Sequence, residues 1–432
     1  MNPLCLLFGS FVSLLIFRVP ISFALILSSM ATIYYAGIPL GLVVQRMYIG
    51  INSFPLLAVP LFLFLGSLLE HGGITNRLLI LSESLIGRVR GGLAYINVLS
   101  SMFFAGLSGS SLADVASIGG VLIPAMKKQG YTDVFSVAIT TASSTMGIII
   151  PPSIFMVVYG GVGDVSIGAL FLGGAIPGIL IGAIQLIYIA IMGKKLNFPI
   201  STKYASWKEK LISIISSVPA FLIPLIIVGG IVGGIFTATE SAAVAVVYGL
   251  FFVVFTSRNM KFMINNLGLV VKESCRNIAP TLFCVTGATV FSWLLAYFQV
   301  PAYVIKMGEG FNLGPVGALF FIFILYMFLG TFLSGVATII TFMPVAQALG
   351  IVAGVHPVQL GVIVVMTMAL GLMTPPYGLC ILLASKLGGV SVIKAFKATF
   401  VFLILFILVV IICIIFPDIV MFLPRMFMPD FI

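Results

Sequence analysis

The sequence predicts an all-α polytopic membrane protein built from two inverted repeats. Three observations lead there. The 432 residues are 61% hydrophobic and only 7% charged, whereas a soluble domain carries about 25% charged residues. Apolar runs of about 20 residues, long enough to cross a bilayer core, recur along nearly the whole chain. A set of interruptions in those runs occurs twice, in the same order.

The stretches 4–17, 20–37, 54–71, 135–163, 168–192, 213–235, 240–257, 278–298, 357–385 and 398–423 read as spans, about ten to eleven transmembrane helices in all. The first lacks a basic leader and a small-residue cleavage site, so it reads as a retained helix rather than a signal peptide. Two longer apolar stretches, 92–126 and 315–350, carry small polar residues in the middle. Ser108-Gly109-Ser110-Ser111 interrupts the first and Ser334-Gly335 the second. Gly and Ser suit a tight turn, so both stretches read as re-entrant helical hairpins that come in and leave on one side.

Loop charges assign those sides. The net charge is +10, but the basic residues are scattered through loops rather than gathered on one domain. That excludes a nucleic-acid reading and marks cytoplasmic loops instead. Arg88 and Arg90 precede the first hairpin, and Lys127 and Lys128 follow it. Both its ends are therefore cytoplasmic, which a single span forbids. Threading from there puts both termini in the periplasm and 18 of the 21 Lys and Arg inside, leaving Arg46, Lys306 and Arg425 outside. The second hairpin, between Lys306 and His356, comes in from the periplasm. The five Cys show no disulfide or metal spacing and read as small apolar packing.

Two spans contain a break. One reads Gly147-Ile-Ile-Ile-Pro151-Pro152-Ser153 and the other Gly371-Leu-Met-Thr374-Pro375-Pro376-Tyr377. A Pro pair removes two donors and clashes with the preceding turn, so the helix unwinds there. Ser108 and Ser334 are 226 residues apart, Pro151 and Pro375 224 apart. The chain thus divides into a first inverted repeat (1–193), a basic cytoplasmic connector (194–212) and a second repeat (213–432). Trp207 and Tyr204 read as interfacial anchors.

An unpaired backbone group in hydrocarbon costs several kcal/mol. Two breaks and two tips leave many such groups. Kinks in packed helices explain one of them but not four in repeated order. Paired broken helices point instead to a midplane site in a secondary transporter. Half-helix N-termini favour an anion, while freed carbonyls and hydroxyls suit sodium. The substrate candidates are Ser108, Ser110, Ser144, Ser153, Ser334, Thr338 and Tyr377. The sodium candidates are Ser108, Gly109, Ser111, Asp114, Gly147, Ser334, Gly335, Gly371 and Thr374. Asp114 is the only carboxylate placed deep in the membrane, and His71 and His356 both sit at span ends. That scarcity favours sodium over protons as the coupling ion. Ser111-Leu-Ala-Asp114 also fits a capping box, as does Thr237-Ala-Thr239-Glu240, so Asp114 either binds an ion or caps a helix. No Lys or Arg lies within the expected core, so an anion is held by helix ends and hydroxyls or by an arginine supplied by bending of a loop; nothing calls for a catalytic cofactor or an enzyme.

At these motifs the chain resembles the large membrane subunit, the DctM-like type, of tripartite ATP-independent periplasmic (TRAP) transporters. The matching pieces are Phe104-Ala-Gly-Leu-Ser-Gly-Ser-Ser, Gly147-Ile-Ile-Ile-Pro-Pro-Ser, Thr237-Ala-Thr-Glu-Ser-Ala-Ala and Gly371-Leu-Met-Thr-Pro-Pro. The resemblance covers nearly the whole chain. It implies a sodium-driven importer in the bacterial inner membrane, working by an elevator motion of hairpins and broken helices against a scaffold. It further implies a periplasmic substrate-binding protein, a separate small four-helix membrane subunit, and an organic acid of the sialic acid or C4-dicarboxylate class as cargo.

Two other readings stay open on the residues alone. A channel could use the hairpin tips as a filter. Gly106-Leu-Ser108-Gly109 matches the short motif of an intramembrane serine protease, whose Ser needs a His base within reach; neither His lies in a span near that depth. Topology is directly measurable. Lys127→Cys is expected to label from the cytoplasm and Lys306→Cys from the periplasm. Labelling of Arg90→Cys and Lys127→Cys from opposite sides rules out the re-entrant hairpin.

Overall fold

A chain this apolar can satisfy its backbone without water only by closing its hydrogen bonds locally. The computed structural model describes residues 2–200, 206–257, 260–310 and 314–431; Tyr204 lies outside them. Among these residues the regular elements are all helical, apart from one bridge pair, Arg90 with Ile200.

Five helices are long and apolar enough to cross a bilayer unaided: Ile167–Lys195, Trp207–Val232, Asn266–Tyr297, Gly335–Val352 and Val392–Ile415. Pro3–Ile16 and Ile21–Tyr35 are shorter and pack on each other. The chain belongs among multi-pass membrane proteins on this count. Three expected spans have different limits. The run from 54 to 71 is the second limb of a bent pair, Gly41–Ile51 and Pro55–His71, at 66°. The span expected at 278–298 is the end of one long helix, Met260–Tyr297. Lys, Glu and Arg are good helix formers, so the helix runs unbroken through the charged stretch before the apolar one. The span expected at 398–423 stops at Ile415; past Pro417 a separate amphipathic helix, Asp418–Phe427, begins.

Both expected hairpins form as helix–turn–helix units. The first has a leading arm, Gly92–Ser108, and returns through Ser111–Asp114, a π turn at Val115–Gly119, and Gly120–Lys128. The second leads with Pro315–Gly330 and returns as Gly335–Val352. Both expected breaks form as well. Asp133–Ser144 passes through a 3-10 turn, Thr145–Ile148, and resumes as Ile154–Gly163. Pro357–Leu372 stops and resumes as Leu379–Gly388. The peptide bonds joining Pro151 to Pro152 and Pro375 to Pro376 are cis. At 1.5 Å per residue each ten-residue second half is about 15 Å long, half of a bilayer core.

These four units form the centre. Of the 16 residues in Pro357–Leu372, all but Pro357 are buried, whereas the apolar window of Trp207–Val232 is only 28% buried. The outer helices thus present their apolar faces outward. The two broken helices run antiparallel, with Asp133–Ser144 on Leu379–Gly388 and Ile154–Gly163 on Pro357–Leu372. The returning arm of each hairpin also packs on the second half of the other broken helix.

Lipid removes the hydrophobic drive between helices, so close approach and polar contacts hold this centre. Asn97 Nδ2 donates to Thr140 Oγ1 at 2.8 Å and Ser143 Oγ donates to Asn97 Oδ1 at 2.9 Å. These bonds fasten the first hairpin's leading arm to the first broken helix. A Cβ on Gly147 would lie 2.9 Å from Ser111 N, and one on Gly371 2.6 Å from Gly330 O. Gly147→Ala and Gly371→Ala are each expected to lower stability by about 1–3 kcal/mol through overpacking. Gly268→Ala, with open space around it, is expected to leave stability unchanged or slightly raised. Melting temperatures of the purified protein in detergent check both statements.

Candidate substrate and ion site

The site begins with the way each break finds partners. Gly109, at the first tip, has φ +62, and a Cβ there would lie 2.9 Å from Pro152 O. Only glycine meets both demands. Across that approach Ile154 N donates to Gly109 O at 3.3 Å. The second half matches it: Tyr377 N donates to Thr331 O at 2.9 Å. Each hairpin tip thereby satisfies a backbone donor freed by the break in its own half.

Between tips and breaks lies a cavity of about 870 Å³, within the usual range for ligand pockets of about 300–1,000 Å³. Ser108, Gly109, Ser110 and Ser111 line it from the first tip, Ser334 and Gly335 from the second, and Tyr377 from the second break. Those seven expected residues converge on one space. The opposite wall comes from Ile21–Tyr35, Pro55–His71 and the long helix Met260–Tyr297.

The other seven expected residues, Asp114 among them, do not line the cavity. Gly147 and Gly371 are close-approach positions. Ser153 Oγ donates to Ile148 O at 2.5 Å and accepts from Met156 N at 3.2 Å, so it caps Ile154–Gly163. Thr338 Oγ1 donates to Ser334 O, and Thr374 Oγ1 to Leu370 O. Ser144 is fully buried behind the cavity wall.

Asp114 sits there too, fully buried. The capping box expected over Ser111–Asp114 does not form. Ser110, not Ser111, is the N-cap, and its side chain accepts from Ala113 N. Neither carboxylate oxygen of Asp114 has a hydrogen-bond partner, nor has Ser144 Oγ. The Ser144 and Ser101 hydroxyls face the carboxylate without closing a bond of standard geometry. The π turn Val115–Gly119 follows directly; such turns are frequent at functional sites. The box over Thr237–Glu240 does form, with Thr237 N donating to Glu240 Oε2 at 2.8 Å and Glu240 N to Thr237 Oγ1 at 3.3 Å.

The cavity does have a cation, and it comes from a helix rather than from a bent loop. Arg276 lines the cavity, together with Glu70 and Glu273. Glu273 Oε2 lies 3.4 Å from His71 Nε2, while Arg276 has no ion pair of its own among the described residues. The signal was in the sequence. Glu273, Arg276, Asn277, Pro280, Thr281 and Cys284 follow one another at helical spacing, and all line the cavity. They are one polar face on a helix that begins well before residue 278.

The helix N-termini at the cavity differ in kind. Ile154–Gly163 has its free amide capped by Ser153 and the first returning arm by Ser110. Gly335–Val352 and Leu379–Gly388 have no side-chain cap, and Gly335 and Leu379 both line the cavity. Their open N–H groups and positive dipole ends favour negative charge.

Residues 8–419 match the family described as the DctM component of the tripartite ATP-independent periplasmic transporter. The chain is 33% identical to the sialic acid TRAP transporter large permease protein SiaM of Vibrio cholerae, covering 98% of each. It is 34% identical to the C4-dicarboxylate large permease protein DctM of Pseudomonas aeruginosa, over 87% of each. It is 35% identical to the isethionate permease protein DctMQ of Oleidesulfovibrio alaskensis, over 98% of this chain and 66% of that one. Among solved structures the YdaH transporter of Alcanivorax borkumensis shares the fold, with a TM-score of 0.59 at 15% identity over 86% of each chain. From the motifs, the fold and these relatives together, the chain belongs to the DctM family, the large permease subunits of TRAP transporters.

Proposed function

We propose that this chain imports an organic acid across the bacterial inner membrane, driven by sodium, by moving its hairpins and broken helices as an elevator against a scaffold. The observation that carries the reading is the single cavity walled by two tips and two breaks, faced by Arg276. The cargo's acid group lies between the Arg276 guanidinium and the open helix ends at Gly335 and Leu379. Relatives are named for sialic acid, C4-dicarboxylate, isethionate and ectoine, and an acid group is what these share. The cargo is of the sialic acid or C4-dicarboxylate class.

Sodium is bound on the first half's side. Asp114 brings two fully buried oxygens without a hydrogen bond of standard geometry, which a bound cation compensates. Ser144 and Ser101 stand beside it. Glu70, Glu273 and Arg276 fall on the side that the loop charges assign to the cytoplasm, so the cavity opens inward. The antiparallel broken helices and the matching tip-to-break bonds support two inverted repeats, 1–193 and 213–432, joined by the connector 194–212. A small four-helix subunit and a periplasmic binding protein complete the transporter.

Reconstitution with both partners in proteoliposomes tests this. An inward sodium gradient is expected to drive uptake, and uptake indifferent to the gradient overturns sodium coupling. Asp114→Asn is expected to raise the sodium concentration for half-maximal uptake about tenfold or more, the loss of one charged ligand. Arg276→Gln is expected to raise the substrate concentration for half-maximal uptake by a similar factor, with the sodium requirement unchanged.

A further inference from the structure

We propose that Lys127 and Gln347 form a matched pair of clasps that lock each hairpin to the other half's broken helix throughout the transport cycle. The proposal rests on the reading of hairpins and broken helices as one moving body.

Lys127 ends the first hairpin's returning arm, and its Nζ donates to Gly388 O at 2.9 Å. Gly388 is the last residue of the second broken helix. Gln347 lies on the second hairpin's returning arm, and its Nε2 donates to Gly163 O at 2.8 Å. Gly163 is the last residue of the first broken helix. Each bond therefore joins the two halves of the chain, in opposite directions.

The match extends to the surroundings. A Cβ on Gly388 would lie 3.6 Å from the Ile123 side chain and 2.2 Å from that of Val137. A Cβ on Gly163 would lie 2.6 Å from Met343 Sδ. Ile123-Pro124-x-x-Lys127 on one arm thus answers Met343-Pro344-x-x-Gln347 on the other, 220 residues on. Each glycine precedes a left-handed residue, Asp164 at φ 54 and Gly389 at φ 65. The chain leaves the helix there, and the last carbonyls have no intrahelical donor. A donor from the other half satisfies one of them on each side.

The two clasps sit at opposite ends of the antiparallel pair, since Gly388 meets Val137 near the start of Asp133–Ser144, while Gly163 lies at the far end of that broken helix. They differ chemically. Lys127 is a cation at a helix C-terminus, favoured by the dipole, and also pairs with Asp133 Oδ2 at 3.2 Å. Gln347 is neutral. Lys127 and Gln347 do not line the cavity and act as positioning residues. They keep the tips seated on the breaks while the body moves.

Hydrogen–deuterium exchange on the reconstituted transporter reads the clasps directly. Lys127→Met is expected to speed exchange in the last turn of Leu379–Gly388 about tenfold, and Gln347→Met that of Ile154–Gly163 about threefold, as befits a charged and a neutral bond. Lys127→Arg and Gln347→Lys are expected to restore protection. Both Met variants are also expected to pass more sodium per cargo molecule than the parent. Met variants with parental exchange and parental stoichiometry overturn the proposal. Should they not fold, the unaltered protein decides. Each helix end and its partner arm are expected to keep equal protection with and without sodium and cargo, and independent changes in the two overturn it. Exchange reads the clasps whatever ion drives uptake, so failure of sodium coupling shows separately, as uptake without gradient dependence.

Discussion

A backbone amide or carbonyl without a partner cannot rest in hydrocarbon, and everything at the centre of this protein follows from that constraint. Two helices stop midway and two hairpins turn within apolar stretches. The structure places each turn against a break, so that Gly109 O meets Ile154 N and Thr331 O meets Tyr377 N. The contact requires bare backbone, hence Gly109 at the first tip, and Gly147 and Gly371 where helices touch the hairpins. It also fixes where the cavity lies. Tips and breaks that must meet leave their remaining polar groups around one shared space.

Within that space the halves use the same backbone differently. In the first half Ser110 and Ser153 cap the helix ends they precede, which removes those ends as anion sites. What remains unsatisfied is Asp114, a buried charge with bare oxygens. In the second half Ser334 and Gly378 leave their helix ends uncapped. On the proposed function this divides the work. The first half offers negative charge to a cation, and the second offers positive ends to an anion, so a sodium ion and an acid occupy adjoining places without competing for the same groups.

Much of this was legible in the sequence because the breaking residues are local signals. Pro151-Pro152 and Pro375-Pro376 stop a helix wherever they stand, and Ser108 to Ser111 turn a chain in any setting. Seven of the fourteen distinct candidates come together on one cavity for that reason. What stayed hidden depends on three-dimensional register. Ser153 has the chemistry of a ligand, but its hydroxyl caps its own helix. Asp114 matched a capping pattern that the turn at Ser110 shifts by one residue. The face that carries Arg276 is hidden in the sequence because charged residues ordinarily mark the end of a span. Helix propensity carries the helix through them, and burial depends on what faces it.

The same division explains why the halves match in backbone and differ in side chain. A bilayer imposes the same requirement on both: every carbonyl released at a break or a helix end needs a donor. Geometry is therefore alike at Gly163 and Gly388, and alike at the two tips. The two membrane faces impose nothing in common on the donor. On the side with the basic loops the donor is Lys127, held by Asp133; at the far end it is Gln347, which carries no charge for a membrane potential to act upon. A body that crosses the membrane gains from having backbone partners travel with it, since any bond to the scaffold must be broken and remade in each cycle. The bonds at tips, breaks and helix ends all lie among the four central units, and this is the physical ground for treating those units as one.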